Sequence, residues 1–157
     1  MKCFKELTEL DEMEADDFAR NNLGFKKVAI VEDDENAQQL MIYYLQRCYK
    51  DYNFEICAIS NPVDFFLNHD LSKFDLLILD INLPSYNGFI VGKEFKRANF
   101  YHVPILYVST DKKYQQDYQQ YKNQYSSFLL KPFSKKQLLA EIEKFDHDLW
   151  STVRKAG

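Results

Sequence analysis

The chain has 157 residues, of which 46% are apolar and 16% aromatic, enough to bury the core of one folded domain. Its net charge of −4 argues against a general attraction to nucleic acids or anionic membranes. Three cysteines without a CxxC spacing argue against a disulfide framework or a zinc site and favour the reducing cytoplasm. No apolar run reaches membrane-spanning length, and residues 1–24 lack the apolar segment of a signal peptide.

Residues 1–24 differ in composition from the rest of the chain. They contain seven acidic and three basic residues, so this segment carries the whole net charge of −4. Phe4, Leu7 and Leu10 recur at helical spacing within it. We therefore predict an acidic extension over residues 1–24, either a solvated tail or an extra helix that docks on the domain or on a partner, followed by one domain over residues 25–157.

Short apolar runs alternate with amphipathic segments along this domain. The runs predict five buried strands, at about residues 27–31, 54–59, 76–80, 105–108 and 127–130. The first amphipathic segment has its apolar face at Ala37, Leu40, Met41, Tyr44, Leu45 and Cys48. Asn61 before Pro62 predicts the start of the second helix, and Gly88 that of the third. This alternation predicts an α/β fold with a parallel sheet and helices on both faces.

The last two helices also have recognisable starts. Asp111 is the predicted cap of the fourth helix, and Ser134 with Gln137 predicts a capping box for the fifth, which could extend to about Arg154. The predicted fourth helix carries a row of tyrosines spaced by four, three and four residues, at Tyr114, Tyr118, Tyr121 and Tyr125. We predict that this row is a buried face with hydroxyls at its rim, and the alternative is an aromatic partner site.

Polar residues follow four of the five predicted strands. Glu32 and Asp33 follow the first, Asp80 ends the third, Ser109 follows the fourth and Lys131 follows the fifth. The carboxyl ends of parallel strands share one edge of a sheet, so these side chains should meet there. Two carboxylates about 4 Å apart repel by roughly 4 kcal/mol at an effective dielectric of 20, and a hard cation such as Mg²⁺ removes that cost. Taken singly, each residue could be a helix cap or half of an ion pair.

In this combination the sequence resembles the receiver domain of two-component response regulators. The resemblance covers about residues 26–145. The residues that carry it are Glu32 and Asp33, Asp80 in the loop LDINLPSYNG, Ser109, and Lys131 with Pro132 in LLKPF. It implies a flavodoxin-like, doubly wound (βα)5 fold, which is a three-layer sandwich with parallel strand order 2-1-3-4-5.

The resemblance implies a magnesium site among the acidic residues. Asp33, Asp80 and the backbone carbonyl of Asn82 would ligate Mg²⁺ directly, and Glu32 would hold a metal-bound water. These assignments give the carboxylates at the sheet edge a common role.

The resemblance further implies a phosphoryl-transfer site and a switch. Asp80 would be the phosphoacceptor, and Lys131 and the Ser109 hydroxyl would contact the phosphoryl group. Ser109 and Phe128, the aromatic residue three before the lysine, would be the switch residues; alternatively Phe128 is an ordinary core residue. Asn82, Thr110 and Asp111 occupy positions that tune the lifetime of the phosphate. Thr110 stands where the family usually has Ala or Gly, and the bulkier side chain is expected to narrow access to Asp80.

The implied function is that of a phospho-accepting switch that catalyses only its own phosphorylation and dephosphorylation. Its partners would be a sensor histidine kinase or a histidine phosphotransfer protein, and an output protein or second copy on the face of the fourth and fifth helices. We expect no direct contact with nucleic acid or membrane. The sequence shows no effector domain, so we expect a stand-alone receiver or one cut from a larger protein.

Two alternatives are considered. A degenerate receiver would act as a protein-binding module without phosphorylation; Thr110 and the tyrosine row favour it, and the complete set of acids, serine and lysine opposes it. A magnesium phosphatase of the haloacid dehalogenase type also places an Asp after an apolar strand. That family needs a second Asp two residues further on, where this chain has Asn82, which argues against this alternative.

Overall fold

A computed structural model of the chain describes residues 27–48, 55–100 and 102–145. Within them five strands form one sheet: β1 (Lys27–Val31), β2 (Glu55–Ile59), β3 (Leu76–Asp80), β4 (Ile105–Ser109) and β5 (Ser126–Leu130). Their order is β2-β1-β3-β4-β5, and each neighbouring pair is parallel. The predicted doubly wound α/β fold and its strand order are confirmed.

Helices follow each of the five strands. They are α1 (Glu35–Cys48), α2 (Pro62–Asn68), α3 (Gly88–Phe95), α4 (Lys113–Asp117) and α5 (Lys135–Lys144). A π-helical turn at Lys96–Phe100 continues α3, and a 3-10 turn at Tyr118–Gln120 continues α4. Between β3 and α3, the short strands Asn82–Leu83 and Tyr86–Asn87 pair as an antiparallel hairpin, which was not predicted.

The predicted helix starts are confirmed for α2, α3 and α5. The Asn61 side chain accepts a hydrogen bond from the Asp64 N–H, with Pro62 in the first turn. Ser134 and Gln137 form both hydrogen bonds of a capping box. Asp111 is not the cap residue of α4 as predicted, because α4 begins at Lys113 and the residue directly before it is Lys112. The Asp111 carboxylate still accepts a hydrogen bond from the Lys113 N–H at 3.0 Å.

The predicted tyrosine row is shorter than the sequence suggested. The prediction that one helix carries all four tyrosines was wrong, because Tyr114 lies in α4 and Tyr118 in the 3-10 turn, whereas Tyr121 and Tyr125 come after that turn. The Asn123 carboxamide accepts the Tyr125 N–H, and this local bond competes with helix continuation. The expectation of a buried row holds best for Tyr118, which is 6% exposed, whereas Tyr114 and Tyr121 are half-buried.

The sheet separates two apolar clusters, which explains the continuous apolar runs. Ile30 and Ile78 face the cluster beneath α1 and α5, whereas Ala29 and Leu77 face the cluster beneath α2 and α3. All four side chains are fully buried. Because strand side chains alternate between faces, only a strand that is apolar at every position can fill both clusters.

Some predictions lie outside the described residues. These are the acidic extension at 1–24, the start of the second strand at Phe54 and the end of the last helix near Arg154. Among the helices within the described ranges, none has both the length and the apolar character required to cross a bilayer.

Gly92 on α3 faces the ring of Tyr107 on β4, and both residues are buried. A β-carbon at position 92 would lie 2.1 Å from the Tyr107 hydroxyl oxygen and 2.9 Å from its Cζ. We therefore expect Gly92→Ala to lower the free energy of unfolding in urea by about 1–3 kcal/mol through overpacking. Adding Tyr107→Phe removes the nearest atom and should recover part of the loss. Wild-type stability for Gly92→Ala alone would contradict this packing.

Candidate functional site

The sheet edge at the carboxyl ends of the strands brings the predicted polar residues together. Glu32 directly follows β1, Asp80 ends β3, Ser109 ends β4 and Lys131 directly follows β5. Glu32, Asp80 and Ser109 are 1%, 5% and 0% exposed. The Lys131 Nζ lies 2.6 Å from Glu32 Oε2 and 3.9 Å from Asp80 Oδ1. Four strands therefore place two carboxylates, a hydroxyl and an ammonium group in one buried site.

Asp33 completes an acidic cluster at this edge. One carboxylate oxygen from each of Glu32, Asp33 and Asp80 lies within 4.8 Å of the other two, and Asp33 is the exposed member. Lys131 forms ion pairs with two of these acids, so one positive charge faces three negative charges. A cluster of oxygen donors with surplus negative charge suits a hard divalent cation, and Mg²⁺ takes such ligands. The residues present therefore fit the predicted magnesium site.

The Asp80 carboxyl has an unusual titration because it is buried. Burial raises its pKa to about 7; the Lys131 ammonium opposes this shift and the Glu32 carboxylate adds to it. The Asn82 N–H also donates to Asp80 Oδ1 at 3.2 Å, which favours the ionised form. A cation at the cluster would favour the ionised carboxylate further.

Glu32 and Lys131 hold each other in place. Glu32 Oε1 accepts the Asp34 N–H at 3.1 Å, which leaves Oε2 for the lysine. On the other side, the Lys131 N–H donates to the Ser109 carbonyl at 2.7 Å, so β4 fixes the backbone of the lysine. The peptide between Lys131 and Pro132 is cis.

The predicted switch and tuning residues differ in how close they lie to this buried group. The Ser109 Oγ accepts the Asp111 N–H at 3.0 Å, and Thr110 and Asp111 are exposed in the loop after β4. Phe128 lies in the middle of β5, two residues before the carboxyl end of that strand. Its half-buried ring packs on Tyr118, with ring centroids 5.7 Å apart. Thr110 and Asp111 are thus adjacent to Ser109 in the sequence, whereas Phe128 packs with Tyr118 away from the carboxyl ends of the strands.

Gly88 has a second role at the site that the sequence reasoning missed. Its N–H donates to the Ile81 carbonyl at 2.7 Å. A β-carbon there would lie 2.4 Å from the Asp80 carbonyl oxygen and 2.5 Å from the Ile81 Cα, both backbone atoms that cannot move aside. The glycine therefore lets α3 begin directly against the backbone of the acidic residue, in addition to its predicted role as a helix start.

Gln38 was also missed. It is 7% exposed, and its Nε2 donates to the Glu32 carbonyl at 2.5 Å. A signal was present in the sequence, because Gln38 precedes the buried Met41 and Leu45 by three and seven residues. A polar residue in the apolar stripe of a helix needs a hydrogen-bond partner, and that partner lies beside the acidic cluster.

Residues 28–143 match the family model of the response regulator receiver domain. The chain belongs to this family. Among curated relatives of this receiver, the transcriptional regulatory protein RprY of Bacteroides fragilis is 29% identical over 118 residues. The nisin biosynthesis regulatory protein NisR of Lactococcus lactis is 31% identical over 120 residues. Each alignment covers 74% of the receiver and 48% of the relative, so the chain spans about half the length of these relatives.

Solved structures confirm the receiver fold. Chemotaxis protein CheY4 of Vibrio cholerae superposes with a TM-score of 0.63 at 23% identity, covering 77% of this receiver and 98% of that chain. The non-phosphorylated HemR receiver domain of Leptospira biflexa gives a TM-score of 0.62 at 20% identity, covering 78% and 94% of the two chains. At these identities the comparison establishes the shared fold.

The ion pair between Lys131 and Glu32 makes a testable contribution to stability. Lys131→Met would leave Glu32, 1% exposed, without its cation, and breaking such a pair typically costs about 3–5 kcal/mol. We expect a loss of that size in urea unfolding without divalent metal, and recovery of most of it in the double variant Glu32→Gln/Lys131→Met. Lys112→Met, which removes an exposed lysine, is the control. A loss below about 1 kcal/mol would show that the pair is not stabilising.

Proposed function

We propose that this receiver accepts a phosphoryl group on Asp80 from a phosphohistidine of a sensor histidine kinase or histidine phosphotransfer protein. The observation that supports this most is the meeting of Asp80, an acidic cluster and Lys131 at one sheet edge. Phosphoryl transfer needs a nucleophile together with positive charge that balances the phosphoryl oxygens. Family membership supports the same conclusion, and receivers are in general signal transducers that modify only themselves.

The acidic cluster would hold Mg²⁺ through Asp33, Asp80 and the backbone carbonyl of Asn82, with Glu32 on a metal-bound water. Bound there, the metal supplies positive charge for the phosphoryl oxygens. The Asp80 carboxylate attacks the phosphorus, the phosphorus–nitrogen bond to the histidine breaks, and the imidazole leaves. The product is an aspartyl phosphate on this chain.

Lys131 and Ser109 would stabilise the transferred group from the protein side. The Lys131 Nζ is held at 2.6 Å by Glu32 and is 3.9 Å from Asp80, so a short movement brings it to a phosphoryl oxygen. The Ser109 hydroxyl, which now accepts the Asp111 N–H, would turn to donate to another. Both movements exchange a contact seen here for one with the phosphate.

The output would be a change in the face formed by α4, β5 and α5. Phosphorylation adds about −1.5 to −2 charges at the sheet edge, and Ser109 and Phe128 would transmit that change through Tyr118. This face contains an open cavity of about 340 Å³ between helix and strand. The residues that line it include Tyr118, Lys122, Ser127, Phe128, Glu141 and Lys144. An output protein or a second copy of the chain would bind here. Contact with nucleic acid or membrane is not proposed, and a cytoplasmic location remains a prediction.

The loop residues would set how long the phosphate lasts. Asn82, Thr110 and Asp111 are exposed residues of the loops that follow Asp80 and Ser109, from where they would control the approach of water and of phosphodonor. We propose a lifetime of minutes or less. Survival of the phosphoprotein for many hours in buffer with Mg²⁺ would contradict this.

Incubation with acetyl phosphate and Mg²⁺ tests the proposed function directly. We expect intact-mass spectrometry to show one added phosphoryl group on the wild type. The addition should be absent without Mg²⁺ and absent in Asp80→Asn, because the metal and the nucleophile are both required. Asp70→Asn, which alters an exposed carboxylate before β3 at the opposite sheet edge, should be phosphorylated normally.

Failure of the wild type to gain mass would contradict phosphoacceptor activity and favour a degenerate receiver that signals by binding alone. Phosphorylation that persists in Asp80→Asn would place the acceptor elsewhere in the chain.

Thr110→Ala tests whether the exposed threonine limits access to Asp80. We expect the variant to be phosphorylated severalfold faster by acetyl phosphate at equal Mg²⁺, since the smaller side chain widens the approach. The initial rate of mass increase is the measurement. Thr8→Ala, in the acidic extension, is the matched control. An unchanged or slower rate would show that Thr110 does not narrow the entrance.

A further inference from the structure

Gln38 is one of five polar side chains that are buried in the described part of the chain. Three of the others, Glu32, Asp80 and Ser109, belong to the site already described, and Ser127 pairs with Glu141 on the output face. Gln38 is the fourth residue of α1 and lies on the same side of the helix as Met41 and Leu45, which pack against the sheet. Nothing in the proposed chemistry explains why a carboxamide is buried there.

The Gln38 carboxamide is hydrogen-bonded to the peptide group between Glu32 and Asp33. Its Nε2 donates to the Glu32 carbonyl at 2.5 Å. The same peptide plane carries the N–H of Asp33, so a bond to its oxygen fixes the orientation from which the Asp33 side chain leaves the backbone.

Other contacts fix Glu32 from its remaining sides. Its N–H donates to the Ile59 carbonyl at 3.0 Å, and its Oε1 accepts the Asp34 N–H. The pairing with the second strand thus holds the N–H of Glu32, and Gln38 holds its carbonyl, at the point where the chain leaves the sheet.

We infer that Gln38 is a positioning residue for the acidic cluster, holding the peptide between Glu32 and Asp33 so that both carboxylates converge with Asp80 on a divalent cation. This inference rests on the proposed function. Gln38 does not touch the cation itself; it acts through the main chain, as outer residues do around metal ligands, where their loss typically weakens binding about 10–100-fold.

The first test measures Mg²⁺ binding by isothermal titration calorimetry on the full chain. Gln38→Met keeps the length of the side chain and removes the donor. We expect its Kd for Mg²⁺ to rise about tenfold over wild type, equivalent to about 1.4 kcal/mol. Gln39→Met, the exposed neighbour on the same helix, should bind like the wild type. Equal Kd values for Gln38→Met and wild type would overturn the inference.

A second variant separates positioning from charge and from general loss of stability. Gln38→Glu removes the donor but adds a negative charge, which by itself would tighten cation binding. Positioning predicts weaker binding for this variant as well, and tighter binding would overturn it. With acetyl phosphate, the Mg²⁺ concentration for half-maximal rate should rise in both variants while the rate at saturating Mg²⁺ changes much less. A fall in the saturated rate alone would also overturn the inference.

The wild type distinguishes the two proposals. Absence of Mg²⁺ binding to the wild type would refute the magnesium site and this inference with it. Normal wild-type binding and phosphorylation, with Gln38→Met unchanged, would refute the role of Gln38 alone.

Discussion

The buried ion pair between Glu32 and Lys131 is the constraint on which the rest of the site depends. It joins the residue after β1 to the residue after β5. In the sheet, β3 with Asp80 and β4 with Ser109 lie between these two strands. A glutamate 1% exposed is tolerated only with a close cation and further hydrogen bonds. Lys131 supplies the first and the Asp34 N–H the second. The same lysine is then 3.9 Å from Asp80, so the contact that makes burial possible also positions a cation beside the proposed phosphoacceptor.

The backbone around Asp80 is packed closely against the start of α3. Gly88 allows α3 to begin against the Asp80 carbonyl, and Asn87 caps that helix by accepting the Phe89 N–H at 2.8 Å. The loop between β3 and α3 is therefore closed by local contacts on both sides. These contacts, with the hydrogen bond from the Asn82 N–H to Asp80 Oδ1, hold Asn82 and Asp80 next to each other, which suits the proposed metal site.

Much of this structure could be predicted because its signals are local. A strand buried on both faces needs an apolar residue at every position, so β1, β3 and β4 were visible as runs, and the polar residue after each run marked the sheet edge. The position of Tyr125 was predicted wrongly, because the helical segment ends at Gln120 and a hydrogen bond from the Tyr125 N–H to the Asn123 carboxamide shapes the loop before β5. The hydrogen bond of Gln38 was hidden for a different reason: it links residues on two elements, and only the packing of α1 on the sheet brings them together.

Phe89 joins the loop after Asp80 to the aromatic side chains in and after α4. Its ring stacks on Tyr121 with centroids 4.4 Å apart and planes 4° apart, and it also contacts Tyr107 and Tyr114. Phe89 follows Gly88, which sits on the Asp80 backbone. The first turn of α3 is therefore packed through one ring against α4 at Tyr114 and against the residue that follows the 3-10 turn, Tyr121. Ring contacts and main chain thus connect the backbone of Asp80 with Tyr114 in α4 by a route that includes neither Ser109 nor Lys131.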